Sequence, residues 1–129
     1  MESILTEIVT HSSQLGLKVG VIFLPDRLQY DPAFNTPDNL WEIVGIKTRR
    51  EWLTKESELQ IRLKDWSQKN QVPFFDLTPT FREATSKSNT PLTWQNDHHW
   101  TIAGNRVAAG AIANWLKEID FLDFKTGKN

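Results

Sequence analysis

One acid and two imidazoles crowd into the stretch Gln95-Asn96-Asp97-His98-His99-Trp100-Thr101, which holds two of the chain's three histidines. Residues two apart in an extended loop point to the same side, so the Asp97 carboxylate can reach the near face of the His99 imidazole. A carboxylate placed there fixes the imidazole tautomer and stabilises the imidazolium. His99 can then draw the proton from a hydroxyl nucleophile and return it to a leaving group. A metal is the rival chemistry, with Asp97, His98 and His99 as ligands and His11 as a fourth. Adjacent histidines diverge in an extended loop, and no second ligand pair stands at zinc-like spacing, so no metal is assigned.

The elements that must position this loop can be read in order. Ile4, Leu5, Ile8 and Val9 recur at helical spacing, and Leu15-Gly16 supplies a stop, which predicts a helix over 2–15. Leu17 to Leu24 is an almost unbroken apolar run closed by Pro25, as in a central parallel strand covered on both faces. Pro25-Asp26-Arg27 then falls at the strand's carboxyl end, where open α/β sheets place ligands, so Asp26 and Arg27 are candidate substrate-binding residues.

A loop over 30–39 leads into a long helical region with a possible break at Gly45, in which Trp52, Leu59, Leu63 and Trp66 share a face. Asn70 can end it, and Val72 to Leu77 is the second strand. Strand, crossover helix and strand make a right-handed βαβ unit. A short helix follows over 81–86. Thr101 can cap the last helix, whose buried stripe is Val107, Ala108, Ala111, Ile112, Trp115, Leu116 and Ile119, and whose small residues Gly104, Ala108, Ala109, Gly110 and Ala111 permit close approach to the sheet. Residues 1–122 read as one domain and 123–129 as a polar tail.

The bulk properties exclude several classes. A net charge of −1 over 129 residues gives no electrostatic case for nucleic acid. No apolar run approaches the ~20 residues of a membrane span. Without cysteine there are no disulfides and no thiolate chemistry. Acids stand near Met1 where a signal peptide would carry Lys or Arg, so the default compartment is the cytoplasm.

The segment Asn96 to Gly104, followed by Val107-Ala108-Ala109 and Ile112, resembles the last block of the SGNH/GDSL hydrolase superfamily. Asp two residues before His, with Trp after it, is similar to the form in SGNH-like domains of alginate-type O-acetyltransferases and related envelope proteins. The commoner acid position three residues before the histidine is here Asn96. The strand ending Leu24-Pro25-Asp26-Arg27 and the strand Phe75-Asp76-Leu77-Thr78-Pro79 look like the later strands of such domains. The resemblance implies an α/β fold, part of a three-layer α/β/α (flavodoxin-like) architecture with a small parallel sheet. It implies a serine esterase or O-acyltransferase with Asp97 and His99 in the catalytic set, no cofactor, and an acylated carbohydrate or small ester as substrate. Full-length relatives are expected in the periplasm or cell envelope.

The family's Gly-Asp-Ser block and its Gly-x-Asn-Asp run are missing from this sequence. Ser3, Ser12, Ser13, Ser57, Ser67, Ser86 and Ser88 fall in predicted helices or a polar turn, not at a strand-to-helix elbow. With Met1 opening directly onto the first helix, the expectation is a C-terminal portion, inactive alone. Its partner would be a chain carrying the N-terminal serine half, or a second copy through exposed sheet edges. The alternative is a non-catalytic binding or assembly module, or a truncated remnant of the fold.

Overall fold

The computed structural model describes residues 1–35, 50–95 and 99–121. Two short parallel strands, β1 (Val21–Phe23) and β2 (Phe74–Asp76), pair with Val21 opposite Phe74, Ile22 opposite Phe75 and Phe23 opposite Asp76. Helix α1 (Glu2–Gln14) precedes β1, and α2 (Glu58–Lys69) supplies the crossover. Helices α3 (Thr78–Lys87) and α4 (Ile102–Glu118) follow β2.

Alternation along the strands decides which helices cover which face. Phe75 stacks on Trp115 of α4, with centroids 5.2 Å apart and rings 9° from parallel. Its neighbour Asp76 points the other way and accepts a 2.7 Å hydrogen bond from Gln60 Nε2 of α2. Helix α1 lies on the α2 side, tied by Trp66 Nε1 donating to Thr6 Oγ1 and by the Arg62–Glu2 ion pair. Helices therefore lie on both faces of a small parallel sheet, the α/β arrangement expected from the sequence. The main core sits at the carboxyl end of the strands, where Leu77 and Phe81, both at 0 % exposure, pack with Tyr30, Leu92 and Ala108.

Local signals explain the helix ends. Ser57 and Gln60 form a capping box at the start of α2, with Gln60 side-chain oxygen returning to the Ser57 backbone. Thr101 caps α4 through Gly104 N, as its position predicts. Helix α1 ends as Leu15-Gly16 predicts. Gly16 adopts φ +69°, while Gly16 N–H and Leu17 N–H close onto the Ser13 and Ser12 carbonyls.

Several expectations are corrected. Only Val21–Phe23 of the apolar run 17–24 pairs as strand, and Leu17 and Leu24 are exposed, because β2 is too short to pair the whole run. Trp52 does not share a helix with Trp66: it lies in a separate 3₁₀ turn, Arg50–Leu53. On α2 the polar Gln60 is buried while Leu59 is exposed, since Gln60 satisfies its amide through hydrogen bonds. The third helix runs 78–87 rather than 81–86. Ala109 and Ile119 are exposed and Gly110 faces open space, whereas Gly104 approaches the Leu92 carbonyl rather than the sheet. The possible break at Gly45 and the tail 123–129 lie outside the described residues.

Candidate active site

The chemistry-bearing loop is carried by a narrow antiparallel ladder. Thr93 pairs with Trp100, Trp94 N–H donates to the His99 carbonyl at 3.1 Å, and Thr101 N–H donates to the Leu92 carbonyl at 2.9 Å. Such a ladder sends alternate side chains to opposite faces. Thr93 is buried, and the Trp100 ring packs 4.9 Å from Phe81 on the inner face. Trp100 thus packs the loop. Trp94 and His99, directly opposite one another, take the outer face and are exposed. Asp97 and His98, and with them the expected Asp97–His99 pairing, lie outside the described residues.

Arg27 fastens this ladder to the end of β1. Its Nε donates to Asp31 Oδ2 at 2.9 Å, and its Nη1 donates to the Trp94 and Gln95 carbonyls at 3.2 and 3.4 Å. The guanidinium also lies 4.0 Å above the Phe34 ring. A planar cation with fixed donors suits this combination of stacking and carbonyl contacts. Asp26 has a different task. Its carboxylate accepts from Leu28 N at 2.9 Å, capping the 3₁₀ turn Arg27–Gln29 on which Arg27 sits. Arg27, but not Asp26, borders a groove of about 580 Å³ beside the ladder.

A polar chain not foreseen as part of the site joins the two strand ends. Gln29 Oε1 accepts from Asp26 N, and Gln29 Nε2 donates to Gln60 Oε1 at 2.7 Å. Gln60 Nε2 then donates to Asp76 Oδ2 and Thr78 Oγ1. Arg82 of α3 reaches the Gln29 carbonyl at 2.9 Å and the Trp52 carbonyl at 2.7 Å. The signal was present as two spacings, Asp26-x-x-Gln29 and Ser57-x-x-Gln60, which are both capping boxes in the fold.

Tyr30, buried in the core beneath the ladder, has its hydroxyl pushed above the ordinary phenol value by burial. The nearby Thr93 side chain and the Arg27 charge oppose that rise, and Asp31 and Asp26 reinforce it. Among the described residues no three His, Asp or Glu side chains converge as a metal site requires. Among the same residues no helix is long and apolar enough to cross a membrane.

The parallel βαβ unit puts the chain in the α/β class, with His99 on a ladder near the carboxyl end of the strands. A family model described as SGNH hydrolase-like domain, acetyltransferase AlgX, matches residues 47–128, and the chain belongs to that family. The matched stretch takes in α2, β2, α3, the ladder and α4. Neither the curated proteins nor the solved structures give a significant match.

Proposed function

We propose that this chain supplies the acid–histidine part of a Ser-His-Asp centre in an acyl-ester hydrolase or O-acyltransferase. The observation that carries the reading is the exposed His99 on a clamped ladder at the carboxyl end of a parallel sheet, within a chain of the AlgX SGNH-like family. Asp97 orients the His99 imidazole. The imidazole takes the proton from a serine hydroxyl as its oxygen attacks the ester carbonyl. The acyl group passes to serine, and the alcohol leaves with the proton from His99. Water or an acceptor hydroxyl, deprotonated by His99, then releases the acyl group. Arg27 serves the substrate crevice by holding its wall, and Asp26 by fixing the turn beneath Arg27.

The nucleophile comes from outside residues 1–129. All seven serines lie in described regions, and none follows a strand of the sheet: Ser57 caps α2, and Ser67 is buried in it. An assembly role is favoured by a separate observation, the apolar stripe of Ile4 and Ile8 left exposed on α1, with exposed Met1 and Leu15 at its two ends. That stripe and the side of β1 that no described strand pairs suit a partner carrying the serine, or a second copy. The compartment is that of the polypeptide bearing the nucleophile.

In a complete polypeptide carrying the serine, His99→Ala should lower ester turnover by about a thousandfold or more with folding retained. Unchanged turnover would overturn the role of His99. A serine-reactive phosphonate should leave residues 1–129 unlabelled, and stoichiometric labelling would place the nucleophile within them.

A further inference from the structure

Trp94 is the one exposed tryptophan among the described residues, with 56 % of its surface open. An indole left in water forgoes a large part of its burial energy, so its position calls for a reason. The ladder register gives the position meaning. Because Trp94 N–H bonds to the His99 carbonyl, the two residues are directly opposite, with Cβ atoms expected about 5 Å apart on the outer face.

The groove of about 580 Å³ runs alongside. Pro91, Trp94, Ile102 and Ala103 give it an apolar floor, and Thr90 and Gln95 stand among its lining residues with polar side chains. A long acyl chain gains most from an enclosed apolar pocket, which an exposed indole does not make. A pyranose ring has a flat patch of C–H groups on one face and hydroxyls around its edge. That C–H face matches an open indole in a largely apolar groove that Thr90 and Gln95 also line.

We propose that Trp94 is a stacking platform for a pyranose ring of the substrate, seating the sugar in this groove so that its ester or acceptor hydroxyl faces His99. The proposal rests on the His99 reading for its chemistry, but its binding step is separable. Arg27 enters it through backbone: the guanidinium holds the Trp94 and Gln95 carbonyls and so fixes the angle of the platform.

The test is binding by the full 129-residue chain, followed through its tryptophan indole N–H resonances. Trp94→Phe identifies the Trp94 signal by its disappearance. Titration with a mannuronate hexasaccharide or with maltohexaose should move that signal and leave those of the buried Trp66 and Trp115 in place. By calorimetry Trp94→Ala should weaken binding of the responding sugar about tenfold, and Trp94→Tyr should restore most of it. No movement with either sugar, equal affinity in Trp94→Ala, or a response to butyrate in place of sugar would each overturn the platform. Absent sugar binding together with a turnover loss in His99→Ala of the complete polypeptide would remove the platform and leave the catalytic reading. Sugar binding with unchanged His99→Ala turnover would do the reverse.

Discussion

Helices α1 and α4 are both amphipathic, yet α4 buries Gly104, Ala108 and Trp115 whereas α1 buries no residue. The difference lies in what each helix meets. Helix α4 lies on Phe75 through Trp115 and meets the ladder at Gly104, so its apolar stripe is buried or half-buried from Gly104 to Leu116. Helix α1 meets α2 along Glu2 and Thr6, with Leu5 and Val9 half-buried. Its apolar arc is wider than that contact: Ile4, Ile8 and Leu15 are 61 %, 48 % and 73 % exposed. Periodicity shows that a helix has an apolar face, and only the partner decides how much of it is used.

The sharpest way to break the contrast is at a contact with no spare room. A Cβ on Gly104 would stand 2.1 Å from the Leu92 carbonyl oxygen and 3.0 Å from Trp100 Cβ. Both lie on the ladder, so Gly104→Ala must push it away from α4. The expected cost is about 3 kcal/mol, at the upper end for overpacking, read from chemical denaturation. Gly110 sits in the same helix with nothing within 4 Å of a built Cβ. Gly110→Ala should therefore stabilise by about 0.5–1 kcal/mol through helix propensity alone. Equal effects at the two positions would mean that α4 does not press on the ladder.

A smaller effect is expected at the other fastening of the ladder. Arg27→Lys keeps the positive charge but loses the planar stack on Phe34 and the fixed pair of donors to the Trp94 and Gln95 carbonyls. The loss should be about 1–2 kcal/mol, in the range of charge-assisted hydrogen bonds. Hydrogen exchange at the Trp94 amide should accelerate more than at Phe81, which lies in the core. Uniform acceleration across the chain would show a global loss and not the release of a clamp.

Much of this was legible from residue types. Gly16 and Thr101 mark helix ends by local chemistry that needs no distant partner, and the structure places them so. Val107, Ala108, Ala111, Ile112 and Trp115 were readable because seventeen helical residues give periodicity room to show. The strands were overdrawn. An apolar run from 17 to 24 records the potential to pair, but pairing extends only as far as the neighbouring strand, and that neighbour is Phe74–Asp76. Gln60 is buried where Leu59 is exposed for the same reason in reverse, since a polar residue is buried when distant partners satisfy it, and Gln29, Asp76 and Thr78 do so from outside α2. Of the candidate site, the sequence puts His99 in the stretch before α4, and the structure sets it on the ladder. The antiparallel register that sets Trp94 opposite His99 depends on Leu92 and Thr101 meeting across the loop, which no periodicity reports.

The least perturbing change sharpens the contrast from the α1 side. Ile4→Lys combined with Ile8→Lys puts two charges on a surface that is already in water. In the isolated chain the pair should alter unfolding free energy by no more than about 0.5 kcal/mol, the usual range for surface substitutions. Val9→Lys makes the internal comparison, because Val9 is half-buried near Val72 and Pro73, and it should cost distinctly more. A large loss in the Ile4/Ile8 variant would mean that the stripe is covered in solution. Mass action then identifies the cover: a second copy makes the midpoint of unfolding rise with protein concentration, and the double variant abolishes that dependence. A concentration-independent midpoint and an unaffected variant leave the stripe open in the isolated chain.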